Sequence, residues 1–217
     1  MPPPASYLLR PLARWLARLL LRVQVSGQAN VPASGGVLLA INHLGGADPV
    51  LVIGFTPRYV TPAGKSEIQG WPVFNRVAAA YGMIPLRRGE PDRATLRRLL
   101  SVMAQGGALL IAPEGRESLT GALERAKDGA AFLGLRAGVP VVPVAITGTA
   151  WKRVLPAWRR LRRPCVTLTF GMPFRFPAGL SRREATEQLM HRLASMLPPE
   201  YRGAYADDSG GLEPAAG

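Results

Sequence analysis

Residues 36–49 read GVLLAINHLGGADP. Gly36–Ile41 is an unbroken apolar run short enough for a strand, and apolar side chains at successive positions mean burial on both faces. Asn42 and His43 follow, then the pair Gly45-Gly46, then Asp48-Pro49. Asp followed by Pro is a helix-start signature, and Pro49–Gly54 reads as the start of a short helix. A buried strand feeding a glycine turn and then a helix is the unit of a parallel α/β sheet.

The same alternation continues outward. Arg58–Ala63, Met83–Leu86, Ala108–Ala112, Val139–Ile146 and Cys165–Phe170 read as strands. Trp71–Tyr81, Asp92–Gln105, Leu123–Ala137 and Ser181–Met196 have helical periodicity. Ser181 and Glu184 have the spacing of a capping box. The expectation is one α/β domain over residues 25–205, with a largely parallel mixed sheet flanked by helices. Residues 1–6 are proline-rich and expected to fray, and the Gly/Asp/Pro-rich tail 206–217 is expected to be disordered.

Within residues 1–24 the stretch YLLRPLARWLARLLLR predicts an amphipathic helix. Arg10, Arg14, Arg18 and Arg22 recur every fourth residue and climb one arc, while the leucines and Trp15 occupy the other. Such a helix lies in a membrane interface with arginines toward lipid phosphates, or packs its apolar face on the protein's own core. The arginines interrupt the apolar run, so neither a signal peptide nor a transmembrane span is expected.

The formal net charge of +13 points to a polyanionic partner: nucleic acid, anionic lipid or a phosphorylated substrate. Only one cysteine, Cys165, is present, which excludes an internal disulfide and a thiolate metal cluster. With two histidines, His43 and His191, a histidine-based metal site is not expected either, and no cofactor is called for.

His43 and Asp48 carry the chemistry. On a continuous helix five steps would separate them by about 140°, so they meet only if the chain turns between them. A carboxylate on one imidazole nitrogen fixes the tautomer and leaves the other nitrogen as a base. The alternatives are an N-capping Asp48 and a satisfied core histidine at a strand end.

Asn42-His43-x4-Asp48 resembles the first motif of the 1-acylglycerol-3-phosphate acyltransferases, within the glycerolipid acyltransferase superfamily. Further blocks follow in the same order. Lys65-Ser66-Glu67 is similar to a Lys-x-Glu segment, and Gly82–Arg88 to the second motif, whose arginine falls on Arg88. Pro113-Glu114-Gly115 is similar to the third motif and Val139–Ile146 to the fourth. Where the family has Thr-Arg-Ser after Pro-Glu-Gly, this chain has Arg116-Glu117-Ser118.

The resemblance implies an O-acyltransferase. It would move a fatty acyl group from acyl-CoA or acyl-carrier protein to a lysophospholipid hydroxyl, most directly 1-acylglycerol 3-phosphate, with another lysolipid or glycerol 3-phosphate as the alternative acceptor. His43 is implied as general base and Asp48 as its orienting carboxylate. Arg88, Glu114, Gly115, Arg116 and Lys65 are implied on the acceptor side. Location at the cytoplasmic face of the membrane, as a peripheral protein, is the matching expectation.

Trp151-Lys152-Arg153 and Trp158–Arg163 interleave tryptophan with basic residues, a pattern of nucleic-acid surfaces and of membrane interfaces alike. A nucleic-acid module gives no reason for His43 and Asp48 to flank two glycines, so no nucleic-acid partner is expected. Gly64-Lys65-Ser66 is not a phosphate-binding loop, because Tyr59 stands where that loop needs glycine. A lipid hydrolase, with the same base activating water, is the nearer rival.

Overall fold

The computed structural model describes residues 2–65, 72–86 and 93–206. Along the chain come α1 (Pro4–Leu20), β1 (Arg22–Ser26), β2 (Val37–Ile41), α2 (Asp48–Phe55), β3 (Val60–Lys65), α3 (Pro72–Tyr81) and β4 (Ile84–Leu86). Then follow α4 (Arg93–Ala104), β5 (Ala108–Ile111), α5 (Gly129–Ala137), β6 (Val141–Thr147), α6 (Trp151–Arg159), β7 (Cys165–Phe170) and α7 (Arg182–Ser195). The strands form one sheet in the order β1-β7-β6-β2-β5-β3-β4. Every pairing is parallel except β6 with β7. This is the α/β architecture with a mixed, largely parallel sheet that the sequence predicts.

β2 lies at the centre, paired on one side with β6 and on the other with β5, and all five of its residues are buried. Side chains alternate across the sheet. Leu39, Ile41, Leu110 and Val144 pack on one face with Leu51, Val52 and Phe55 of α2. Leu38, Ala40, Leu109 and Val141 pack on the other with Leu99, Met103, Leu133 and Leu189 from α4, α5 and α7. Burying each such large apolar side chain is worth about 1.5–3 kcal/mol, which is why β2 and β5 carry no polar position. α7 begins on the expected capping box between Ser181 and Glu184.

Three local expectations change. Residues 4–6 are helical rather than frayed, and Ser6 is buried. α1 stops at Leu20, and Arg22 opens an edge strand that pairs with β7, so the arginine periodicity runs past the end of the helix. Residues 123–128 are not helical. Their backbone bonds run sideways: Leu123 N–H donates to Tyr201 O at 2.9 Å, Glu124 N–H to Glu114 Oε2 at 2.8 Å, and Lys127 N–H to Pro113 O at 3.0 Å. The basic stretch from Trp151 forms α6 despite the internal Pro156.

Apart from Leu9, the apolar arc of α1 does not pack on the core. Leu8, Leu12, Trp15, Leu16 and Leu19 are exposed, and the buried side is the narrow strip of Ser6 and Ala17. The arginines turn toward the C-terminal end of α2. Arg10 donates to Thr56 O at 2.7 Å and Arg14 to Gly54 O at 2.8 Å, while Arg14 and Arg18 lie over the Phe55 ring. Cations there satisfy carbonyls that the helix cannot.

The end of β2 is clamped to β6 by one side chain. Asn42 is buried, donates from Nδ2 to Ile146 O at 2.9 Å, and accepts at Oδ1 from Ile146 N–H at 2.7 Å. Asn42→Ala strands both buried backbone groups. It is expected to lower the unfolding free energy by about 1–3 kcal/mol in urea denaturation.

Candidate active site

The loops that leave the C-terminal ends of β2, β5 and β6 converge, which is where open α/β sheets place their sites. His43 stands two residues after β2, Glu114 three after β5, and Thr149 two after β6. Gly45 lets the first and third loops touch. A Cβ there would lie 2.4 Å from the Thr149 carbonyl oxygen. Neither Gly45 nor Gly46 has a positive φ, so Gly45 is needed for close approach rather than for an unusual turn.

The turn brings His43 and Asp48 together. His43 Nδ1 lies 3.1 Å from Asp48 Oδ2. The same oxygen accepts the backbone N–H groups of Leu44 at 2.6 Å and Gly45 at 2.8 Å. Asp48 opens α2, but Ala47 occupies the cap position and no side chain caps the helix, so the capping role considered for Asp48 is not used. Its carboxylate is fully buried and reaches back into the loop, while 19% of the His43 side chain stays exposed. Nε2 has no protein partner among the described residues. An ionised Asp48 therefore places the proton on Nδ1 and leaves the Nε2 lone pair toward the opening.

Charge around the imidazole is negative. Burial resists the imidazolium, but the Asp48 hydrogen bond and carboxylate, helped by Glu117 and Glu114, outweigh it and raise the pKa above the ordinary histidine value. Glu114 braces the site. Its Oε1 accepts His43 N–H at 3.1 Å, its Oε2 accepts Glu124 N–H, and Ser118 N–H donates to His43 O at 2.7 Å. Burial pushes the Glu114 carboxyl up to about 7 against these two N–H donors.

The other sequence-predicted residues divide. Gly115 takes a left-handed turn at φ +70°, beneath the Lys127 side chain. Arg116 is held in an ion pair with Glu124, at 2.6 Å and 3.0 Å. Lys65 ends β3, with β5 between that strand and β2. Arg88 lies outside the described residues, as does its neighbour Arg87. A groove of about 700 Å³ opens beside the site, lined by Glu114, Gly115, Arg116, Arg125 and Lys127 among others. Glu117 was legible only as a departure from the motif. Its carboxylate sits about as far from Gly46 as the Trp151 ring does, 4.0 Å against 3.9 Å from the position of a Cβ. No group of three or more metal-ligating side chains occurs among the described residues.

A folded state that holds the Glu114 proton more tightly than the unfolded chain gains most from this group below pH 4.5, and loses that gain as pH rises toward 7. Glu114→Ala also leaves two backbone N–H groups unpaired, at about 1–3 kcal/mol. Urea melts across this range should show a stability cost that is largest at low pH and narrows toward pH 7.

A family model described as Acyltransferase matches residues 22–147. A lyso-ornithine lipid O-acyltransferase of Pseudomonas aeruginosa is 34% identical over 63% of this chain and 51% of that protein. A chloroplastic 1-acyl-sn-glycerol-3-phosphate acyltransferase of Brassica napus is 28% identical over 62% of this chain and 39% of that protein. The chain thus spans about half or less of the length of these curated relatives. The crystal structure of the LPA acyltransferase PlsC from Thermotoga maritima superposes with a TM-score of 0.70 over 96% of this chain and 81% of that one. At 20% identity, that likeness speaks for the fold alone. The matched region holds the His43–Asp48 pair and all five central and flanking strands from β1 to β5, together with β6, and the chain belongs to the acyltransferase family.

Proposed function

We propose that this protein transfers a fatty acyl group from a thioester, acyl-CoA or acyl-carrier protein, to the hydroxyl of a lysophospholipid at a membrane surface. The favoured acceptor is 1-acylglycerol 3-phosphate, giving phosphatidic acid. The observation that carries the reading is the 3.1 Å contact between His43 Nδ1 and a fully buried Asp48. The names of the relatives support it.

In this reading Nε2 of His43 takes the acceptor's hydroxyl proton as its oxygen attacks the thioester carbonyl carbon. The tetrahedral intermediate collapses, the C–S bond breaks, and the imidazolium returns its proton to the leaving thiolate. Asp48 holds the ring and stabilises its cation. Of the loop N–H groups before α2, that of Asp48 is spent on Gly45 O at 3.0 Å. Gly46 and Ala47 are therefore the donors assigned to the developing oxyanion. Arg88, Lys65 and the cations of the groove are assigned to the acceptor phosphate. The exposed leucine face of α1 is assigned to a lipid surface, which matches a peripheral location on the cytoplasmic leaflet.

A second acceptor class is favoured by one observation. Arg116 is engaged by Glu124, and a carboxylate, Glu117, stands at the His43 opening. A negative group there suits a lysolipid whose headgroup carries an amine, and the Pseudomonas relative is named for such a lipid. Acyl transfer by the purified protein to lysophosphatidic acid and to amine-bearing lysolipids, with labelled acyl-CoA, separates the two acceptors. Free fatty acid released equally with and without acceptor would contradict both and indicate a hydrolase.

His43→Ala is expected to cut turnover by about 10²–10⁴-fold or more, and near wild-type transfer would refute the mechanism. The base must be neutral, so the rate falls as pH drops through the raised His43 pKa. Removing a neighbouring negative charge lowers that pKa. Glu117→Gln should therefore move the acidic limb of kcat/KM to lower pH, and an unmoved limb would show that Glu117 does not act on His43.

A further inference from the structure

α6 is an amphipathic helix whose apolar stripe is left uncovered by the described residues. Val154 faces inward and is buried, whereas Trp151, Leu155 and Trp158 form an exposed row at helical spacing. Leu161, just beyond the helix, is 97% exposed. It is also the one non-glycine among the described residues with a positive φ, at 54°. L-residues avoid that conformation, and water offers a leucine nothing in return for it.

Two anchorages fix where this stripe lies. At the near end, the Trp151 ring reaches Gly46 in the catalytic loop, at 3.9 Å from the position of a Cβ. At the far end, Trp158 Nε1–H donates to Leu20 O at 3.1 Å, and Arg163 donates to Leu21 O at 2.7 Å and to Arg18 O. These carbonyls close α1, whose own leucine face is open. α6 thus bridges the exposed face of α1 and the opening over His43.

Charge identifies the occupant. Lys152, Arg153, Arg159, Arg160 and Arg162 flank the stripe and are exposed, and no acidic residue occurs from Trp151 to Pro164. None occurs before Asp48 either, so α1 is equally free of negative charge. Tryptophan and leucine within a ring of cations match an anionic bilayer, where rings sit at headgroup depth and arginines meet phosphates.

We infer that α6 is a second membrane-docking helix, which together with α1 seats the His43 opening at the headgroup level of an anionic bilayer. The inference deepens the proposed reaction by giving the lipid acceptor its route to the base. Its physical test does not require that reaction.

The full chain is floated with phosphatidylglycerol/phosphatidylcholine vesicles and with pure phosphatidylcholine vesicles. Leu155→Glu/Leu161→Glu is expected to weaken binding to the anionic vesicles by at least about tenfold. Leu12→Glu/Leu19→Glu on α1 is the companion variant. If the α6 variant floats like wild type, the inference falls, even if the α1 variant has lost binding and the wider membrane reading stands. Trp15→Phe/Trp71→Phe, which leaves only Trp151 and Trp158, supplies a readout with α6 untouched. Brominated acyl chains should quench its fluorescence, and no quenching would overturn the inference. A vesicle-free dimer that the α6 variant turns into a monomer without loss of flotation would also overturn it, in favour of a second copy of the chain. Transfer to a short-chain lysolipid kept below its micelle concentration should be unchanged in the α6 variant, whereas transfer to vesicle-borne lysolipid should fall with binding. Flotation as expected with no transfer to any acceptor would sink the proposed reaction and leave the docking helix standing.

Discussion

One carboxylate oxygen organises this protein's site. Asp48 Oδ2 accepts three N–H groups, from the His43 ring, Leu44 and Gly45, and is shut off from water. A buried carboxylate is costly unless charge-assisted hydrogen bonds replace its hydration, and here Oδ2 takes all of them while Oδ1 has no partner among the described residues. That requirement folds residues 43–48 into one conformation. Its consequence is a histidine whose tautomer and aim are set by the loop, not by solvent.

The sheet makes that loop rigid. β2 is gripped from both sides, and Asn42 carries the grip one residue past the last ladder pair. From β5 comes Glu114, which holds the His43 N–H, while Ser118 from the same loop holds the carbonyl. From β6 comes the Thr149 carbonyl, pressed so near Gly45 that no side chain fits. Three strand ends therefore constrain the backbone of residues 42–45 before any side-chain chemistry begins. The acids around the ring, Asp48 first and then Glu117 and Glu114, also raise its basicity. A stronger base and a smaller neutral fraction arrive together, which ties the working pH of the site to its architecture.

What could be read from the chain followed the range of the forces involved. Buried central strands announce themselves, because VLLAI, ALLI and VVPVAI admit no polar position. The His43–Asp48 pair is legible from the glycine spacing, but Gly45 serves a close approach to the loop after β6, distant in sequence, rather than the turn itself. Edges were harder. β1 alternates weakly and continues a leucine-arginine period, so only its partner β7 identifies it as a strand. The stretch 123–128 carries a helical pattern but stays irregular, because its N–H groups are taken by Pro113, Glu114 and Tyr201 rather than by its own preceding turn. Arg116 carries a charge any motif would send to a phosphate, yet Glu124 is nearer. The leucine face of α1 reads as core or as interface equally well, and which one it is depends on what lies beside it.

The most direct test of the central claim reads the His43 nitrogens themselves. In a ¹⁵N-labelled sample titrated by NMR, Nδ1 should carry the proton in the neutral ring and Nε2 should bear the lone pair. The titration midpoint should lie above that of an unperturbed histidine, and Asp48→Asn should bring it down. A neutral ring protonated on Nε2, or a midpoint below the unperturbed value, would contradict the account.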